Sequence, residues 1–251
     1  MLLENKNAVV YGAGGAIGGA VARAYAREGA RVFLAGRTLV TLEEVAEDIR
    51  SAGGEAETAQ VDALDETAVD EHADAVAARA GGIDISFNLI SLRDVQGTPL
   101  AEMPLEDFEQ PIMTAVRTQF LTSKAAARHM IRQGSGVILF FGGYGDPLPD
   151  YYLGGFQVAL STIESLRRQL ASELGPHGIR VVTLQTGGVP ESIPESFDGK
   201  EAIIESLVEP TMLKRAATLD DVGKVAAFAA SDHARTMTAT ALNISCGSIV
   251  D

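Results

Sequence analysis

The residues best suited to chemistry lie near the amino end of the chain, in Tyr11-Gly-Ala-Gly-Gly-Ala-Ile-Gly-Gly19. An apolar run precedes this stretch and residues of helical type follow it at once. Glycines in such a place let the backbone turn tightly and bring its amides close to a ligand. Amides at the start of a helix, helped by the helix dipole, attract a diphosphate. A second signal stands at the end of the next apolar run, Leu34-Ala35-Gly36-Arg37-Thr38. No acidic side chain is present there to accept hydrogen bonds from ribose hydroxyls. Gly36 is followed instead by Arg37, whose guanidinium can pair with a ribose phosphate. These two segments predict a dinucleotide site that takes NADP(H) in preference to NAD(H). The competing reading leaves Arg37 as a solvated surface residue.

Other reactive side chains form no such pattern. His72, His129, His177 and His233 show no metal-ligand spacing, and no metal site is expected. Cys246 is the only cysteine, which excludes an intrachain disulfide and a thiolate zinc cluster; it reads as structural. A net charge of −14 repels nucleic acid and anionic membrane, so neither is expected as a partner. No run approaches the about 18 apolar residues of a membrane span, and the first residues lack a signal-peptide core. The expectation is a cytoplasmic protein acting on a small molecule.

The elements that must position these residues follow from periodicity. Apolar runs of strand length fall at 8–11, 31–35, 56–61, 83–89, 137–141, 180–184 and 241–244. Segments of helical character fall at 17–28, 41–52, 66–80, a long stretch ending near 131, 153–174 and 220–231. Regular alternation of this kind predicts an α/β fold, a doubly wound parallel sheet of seven strands covered on both faces. No internal repeat or linker divides the 251 residues, so one domain is expected. Pro111 should kink the fourth helix or delay its start. Residues 186–213, with Pro190, Pro194 and Pro210, interrupt the last βα unit and read as a substrate lid.

The chain resembles the short-chain dehydrogenase/reductase family on motifs that run nearly end to end. Gly12-x-x-x-Ala16-x-Gly18 resembles the family's glycine turn, with Ala at the middle position and Tyr11 where Thr is usual. Val61-Asp62-Ala63 resembles the adenine-contacting segment, and Asp84-Ile-Ser-Phe-Asn88 the strand that leads to the family's Asn-Asn-Ala-Gly. Glu173-Leu-Gly-Pro-His-Gly-Ile-Arg-Val181 and Gly187-Gly188-Val189 resemble the approach to the sixth strand and the nicotinamide turn. The resemblance implies a Rossmann-type three-layer αβα fold. It also implies cofactor contacts from Gly12, Gly15, Ile17, Gly18, Asp62, Ala63, Asn88 and Val189, and a homo-oligomer, dimer or tetramer, assembled through the fourth and fifth helices.

The same resemblance locates four catalytic positions. The family's Asn, Ser, Tyr and Lys fall here on Ala115, Gly143, Phe156 and Leu160. Phe cannot donate a proton, and Leu cannot lower a phenol pKa or bond a ribose. Candidate replacements are few. Tyr152, four residues before Phe156, would share its face if the fifth helix extended one turn back. Tyr144, Tyr151, Ser91 and an amide nest over Gly142–Gly145 are weaker candidates. Three readings follow: an oxidoreductase with a non-standard active site, suited to C=C reduction of an apolar substrate; a catalytically silent NADP-binding partner subunit; and a non-redox isomerase or lyase on the same fold.

Overall fold

A computed structural model describes residues 1–142 and 151–250. Its strands are β1 (Asn7–Tyr11), β2 (Arg31–Gly36), β3 (Glu55–Gln60), β4 (Ile85–Asn88), β5 (Gly136–Gly142), β6 (Ile179–Gln185) and β7 (Thr240–Asn243). The longer helices are α1 (Ala16–Arg27), α2 (Leu39–Ser51), α3 (Glu66–Ala80), α4 (Leu105–Gln133), α5 (Gly155–Leu174), α6 (Lys200–Val208) and α7 (Leu219–Ala230). The seven strands form one sheet in the order β3-β2-β1-β4-β5-β6-β7, and every neighbouring pair is parallel.

Successive residues of the inner strands are apolar because both faces are covered. On one face Val10, Leu34 and Val182 pack against Val21 of α1, Leu42 and Val45 of α2 and Val222 of α7. On the other, Val9, Phe33 and Ile138 meet Val69 of α3, Met130 of α4 and Ile163 of α5. This is the seven-stranded, doubly wound, three-layer arrangement predicted from the sequence. The chain winds outward from β1 to β3, then crosses back to β4 on the far side of β1, where Tyr11 registers with Asn88. Ligands of open α/β sheets bind beyond the carboxyl ends of the strands at such a reversal.

The structure corrects the expectations at two helices and adds a third inside the 186–213 segment. Pro111 does not delay α4, which starts at Leu105 and runs through the proline. The ring removes one amide bond, yet it is buried where α5 comes closest: a Cβ on Gly155 would lie 2.0 Å from the Phe108 carbonyl oxygen and 3.0 Å from Pro111 Cγ. The fifth helix begins at Gly155 rather than at 153, because Gly154 has φ +56° and ψ −130°, which no helix accommodates. Residues 186–213 contain a short 3-10 turn, Pro190–Ser192, and α6, which has no buried residue.

Candidate active site

The glycine turn after β1 is shaped by contacts that only glycine permits. Gly12 has φ +76°, and a Cβ there would lie 2.5 Å from the Leu89 carbonyl oxygen. A Cβ on Gly18 would lie 2.2 Å from the Gly12 oxygen, and one on Gly14 2.2 Å from Thr41 Oγ1. Gly15 is looser, since its Cβ would meet only the Gly12 oxygen at 3.5 Å. Gly15 precedes α1 with no side-chain cap and no acidic residue in the first turn. The first amide bond inside this helix start is Gly19 N–H to Gly15 O, so the amides of Ala16, Ile17 and Gly18 are left for another acceptor. Of the other six longer helices only two carry side-chain caps, with Asp65 accepting from Thr67 and Ala68 at α3 and a Thr218–Asp221 capping box at α7; what sets α1 apart is the packed glycine turn at its start. The bare start of α1, walled by backbone, has the form of a diphosphate cradle.

Backbone bonds carry this cradle sideways across the strand ends. Gly12 N–H donates to Ala35 O, and Val61 N–H donates to Gly36 O. Arg37 and Asp62 therefore stand side by side beyond β2 and β3. Arg37 is exposed; its carbonyl accepts from Gln60, and its guanidinium makes no bond among the described residues. The Asp62 carboxylate accepts from Leu64 N–H, while Ala63 is buried. On the other side Asn88 is buried and pinned at both ends: its amide donates to Thr122 Oγ1 at 3.2 Å and its oxygen accepts from Ile90 N–H at 3.0 Å. Val189 is buried beyond β6, and its carbonyl accepts from Ser192. The structure thus gathers the sequence-predicted cofactor residues along one end of the sheet.

Tyr11, below the cradle, is not a proton donor. It is buried edge-on against His72, with ring centroids 5.8 Å apart. Burial and the neighbouring Asp70 charge push its phenol well above the usual range. Burial and the Arg79 charge in turn lower His72 to about 4, so this imidazole is neutral.

Three of the four positions assigned by resemblance lie in one apolar layer. Ala115 of α4 and Leu160 of α5 are 2% and 4% exposed, and Phe156 packs on the same cluster. Leu160 closes the end of β5, with its Cδ2 3.1 Å from where a Cβ on Gly142 would sit. Gly143 and Tyr144 lie outside the described residues. Tyr152 is not on the face of Phe156: it precedes the helix, has φ +46°, is exposed, and its carbonyl accepts from Gly97 N–H. Tyr151 is likewise exposed ahead of α5. Thr122 as the anchor of Asn88 was not legible beforehand, since a threonine inside a long helix carries no local signature. The same holds for a buried pair in α5, where Arg167 donates twice to Glu164 (3.0 and 2.9 Å) while Thr183 of β6 donates to the other carboxylate oxygen.

A parallel sheet reversing at β1 and β4, with a glycine cradle at the reversal, defines a Rossmann-type oxidoreductase that binds a nicotinamide dinucleotide. Residues 12–248 match the family model described as enoyl-(acyl carrier protein) reductase. An uncharacterised oxidoreductase of Bacillus subtilis (strain 168), YxbG, is 32% identical over 242 residues, covering 94% of this chain and 88% of that one. The gluconate 5-dehydrogenase of Gluconobacter oxydans (strain 621H) is 28% identical over 91% of this chain and 89% of its own. Among solved structures, a short-chain dehydrogenase/reductase from Mycobacterium marinum superposes with TM-score 0.87 at 28% identity, covering 99% and 97% of the two chains. The Serratia marcescens BCRC 10948 enzyme of the same type gives 0.88 at 26% identity over all of both chains. The chain belongs to the short-chain dehydrogenase/reductase family.

Proposed function

We propose that this chain is an NADP(H)-dependent oxidoreductase whose active centre lacks local proton-handling side chains, and that it reduces an activated C=C bond in an apolar small molecule. The observation that carries the reading is the pairing of a bare α1 start with an apolar layer at the positions where the family handles protons. When bound, the reduced cofactor supplies a hydride. The Gly12–Gly18 turn and the amides of Ala16, Ile17 and Gly18 hold its diphosphate. Arg37 pairs with the 2′-phosphate, Asp62 and Ala63 face the adenine, and Asn88 and Val189 stand toward the nicotinamide. Ala115, Phe156 and Leu160 are apolar and offer no proton.

Hydride addition to the β-carbon of an enone leaves an enolate, which a backbone amide can steady and solvent can protonate at the α-carbon. A ketone leaves an alkoxide, which needs a proton at once. General acid assistance is worth about 10²–10⁴ in rate, and this layer does not supply it. The enoyl-reductase description of the matching family model supports the C=C reading. Tyr152 would serve as donor only through movement of the chain ahead of α5.

Residues 186–213 form the lid, tethered by Leu213 N–H to Cys246 O and by Glu191 to Leu219 N–H. The assembly is a homo-oligomer through α4 and α5, supported by exposed Leu105, Met113 and Phe120 on α4 and Val158 on α5. The acidic composition and single cysteine support a cytoplasmic setting.

The test is NADPH oxidation against matched panels of enones and ketones, gated by a fluorescence titration of NADPH. NADPH should bind, with turnover on enones exceeding that on ketones. Binding without any turnover would replace this proposal by the silent-subunit reading, and absence of NADPH binding by the non-redox one.

A further inference from the structure

The segment between β4 and α4 bridges the cleft. At one end the Leu89 carbonyl lies directly over Gly12 of the cradle. At the other, Gly97 N–H donates to Tyr152 O, and Gly154 sits so close that a Cβ there would lie 3.1 Å from the Val95 oxygen. The span 89–97 therefore runs from the cofactor turn to the start of α5, where Phe156 and Leu160 stand. Arg93 occupies its middle with φ +53°, its amide turned to Ser91 Oγ at 3.4 Å. Left-handed backbone is unfavourable for a side chain with a Cβ, and such positions concentrate at ligand sites.

Charge separates Arg93 from the other cations. Of the twenty lysines and arginines, only the side chains of Lys6, Arg37, Arg93, Arg168 and Arg235 make no hydrogen bond or ion pair among the described residues. Lys6 and Arg235 precede β1 and β7, at the amino ends of strands, and Arg168 lies within α5. Arg37 and Arg93 alone of these five follow the carboxyl ends of strands, β2 and β4. Asp94, next to Arg93, accepts from Gln96 instead. In a chain of net charge −14, an anionic ligand approaches the cleft against the general field unless a local cation receives it.

We propose that Arg93 receives an anionic group on the substrate, so that the substrate class is an apolar chain or ring bearing a carboxylate, its apolar part toward Phe156. This rests on the reading of the cleft given under Proposed function. Octanoate and octan-1-ol, which share a chain and differ in charge, are the probes. Their affinities are measured calorimetrically on the full chain, with and without saturating NADPH, for wild type, Arg93→Gln and Arg93→Lys. The wild type should bind octanoate at least about tenfold more tightly than octanol, as one charge-assisted contact provides. Arg93→Gln should erase that preference by losing octanoate alone, Arg93→Lys should keep part of it, and NADPH affinity should not change. Equal binding of the two probes by wild type, or an octanoate preference that survives in Arg93→Gln, overturns the proposal. If the NADPH titration fails while the preference is present in the unliganded chain, the cofactor reading falls and the Arg93 assignment stands.

Discussion

Gly15 and Gly18 sit three residues apart in the same turn and should respond differently to the same added methyl. At Gly18 the new Cβ would lie 2.2 Å from a backbone oxygen that cannot rotate away; at Gly15 it would meet ordinary contact distance with φ −84°. Gly18→Ala should therefore weaken NADPH at least about tenfold and cost about 1–3 kcal/mol of stability. Gly15→Ala should leave stability within about 1 kcal/mol. Fluorescence titration and thermal melts of the two variants check the contrast. His72 belongs to the same scale. Its folded value of about 4 lies below the ordinary 6.5, so the unfolded chain binds its proton first as pH falls. The stability associated with neutral His72 is complete above pH 6.5, drains between 6.5 and about 4, and amounts to about 3 kcal/mol at most. Urea melts across that window should show the slope, and His72→Gln should reduce it.

Between elements, the buried ion pair of α5 is the most exacting contact. Arg167 is 4% exposed and its Nη1 is buried with no partner among the described residues, so Glu164 alone compensates its charge, while Thr183 donates to the other oxygen of that carboxylate. Glu164→Ala should cost about 3–5 kcal/mol by leaving that guanidinium buried alone. The double variant Glu164→Leu with Arg167→Met should recover most of the loss, as judged by chemical denaturation. The α3–α4 seam is different: Lys124–Glu66 and Arg128–Asp74 are solvent-exposed ion pairs and Arg128–Asp70 a half-buried one, and the exposed pairs are worth little.

These elements were largely legible in the sequence. Parallel strands covered on both faces must be continuous apolar runs, and β1, β2, β5 and β6 stood out for that reason. The helix starts were harder. α4 accepts Pro111 where a proline normally argues for a break, because the ring fits the close approach to Gly155. α5 starts late because Gly154 takes a conformation no residue type announces. The cradle was legible too, since the positive φ at Gly12 and the close approach of Gly18 to Gly12 are local to the turn, although the contacts with Leu89 and Thr41 are not. The bridge from Leu89 to Tyr152 was not, because the bond from Gly97 N–H to Tyr152 O joins segments distant in sequence.

For the whole molecule, the reversal of winding at β1 and β4 decides where a ligand sits, and the residues on either side decide which ligand. Strand ends tied by Gly12–Ala35 and Gly36–Val61 bring the glycine turn onto one ledge with Arg37, whose guanidinium is unpaired among the described residues. The apolar layer of Ala115, Phe156 and Leu160 faces the same crevice in the reading proposed above. In that reading cofactor selection and altered proton handling are separate properties of one cleft, and they can be measured separately.

The direct test of the cofactor assignment is the ratio of dissociation constants for NADH and NADPH, by fluorescence titration of the wild type and Arg37→Gln. A guanidinium–phosphate contact should make NADPH at least about tenfold tighter in the wild type, and Arg37→Gln should bring the ratio close to one by weakening NADPH alone. Equal affinities in the wild type, or a preference untouched by Arg37→Gln, would contradict the account.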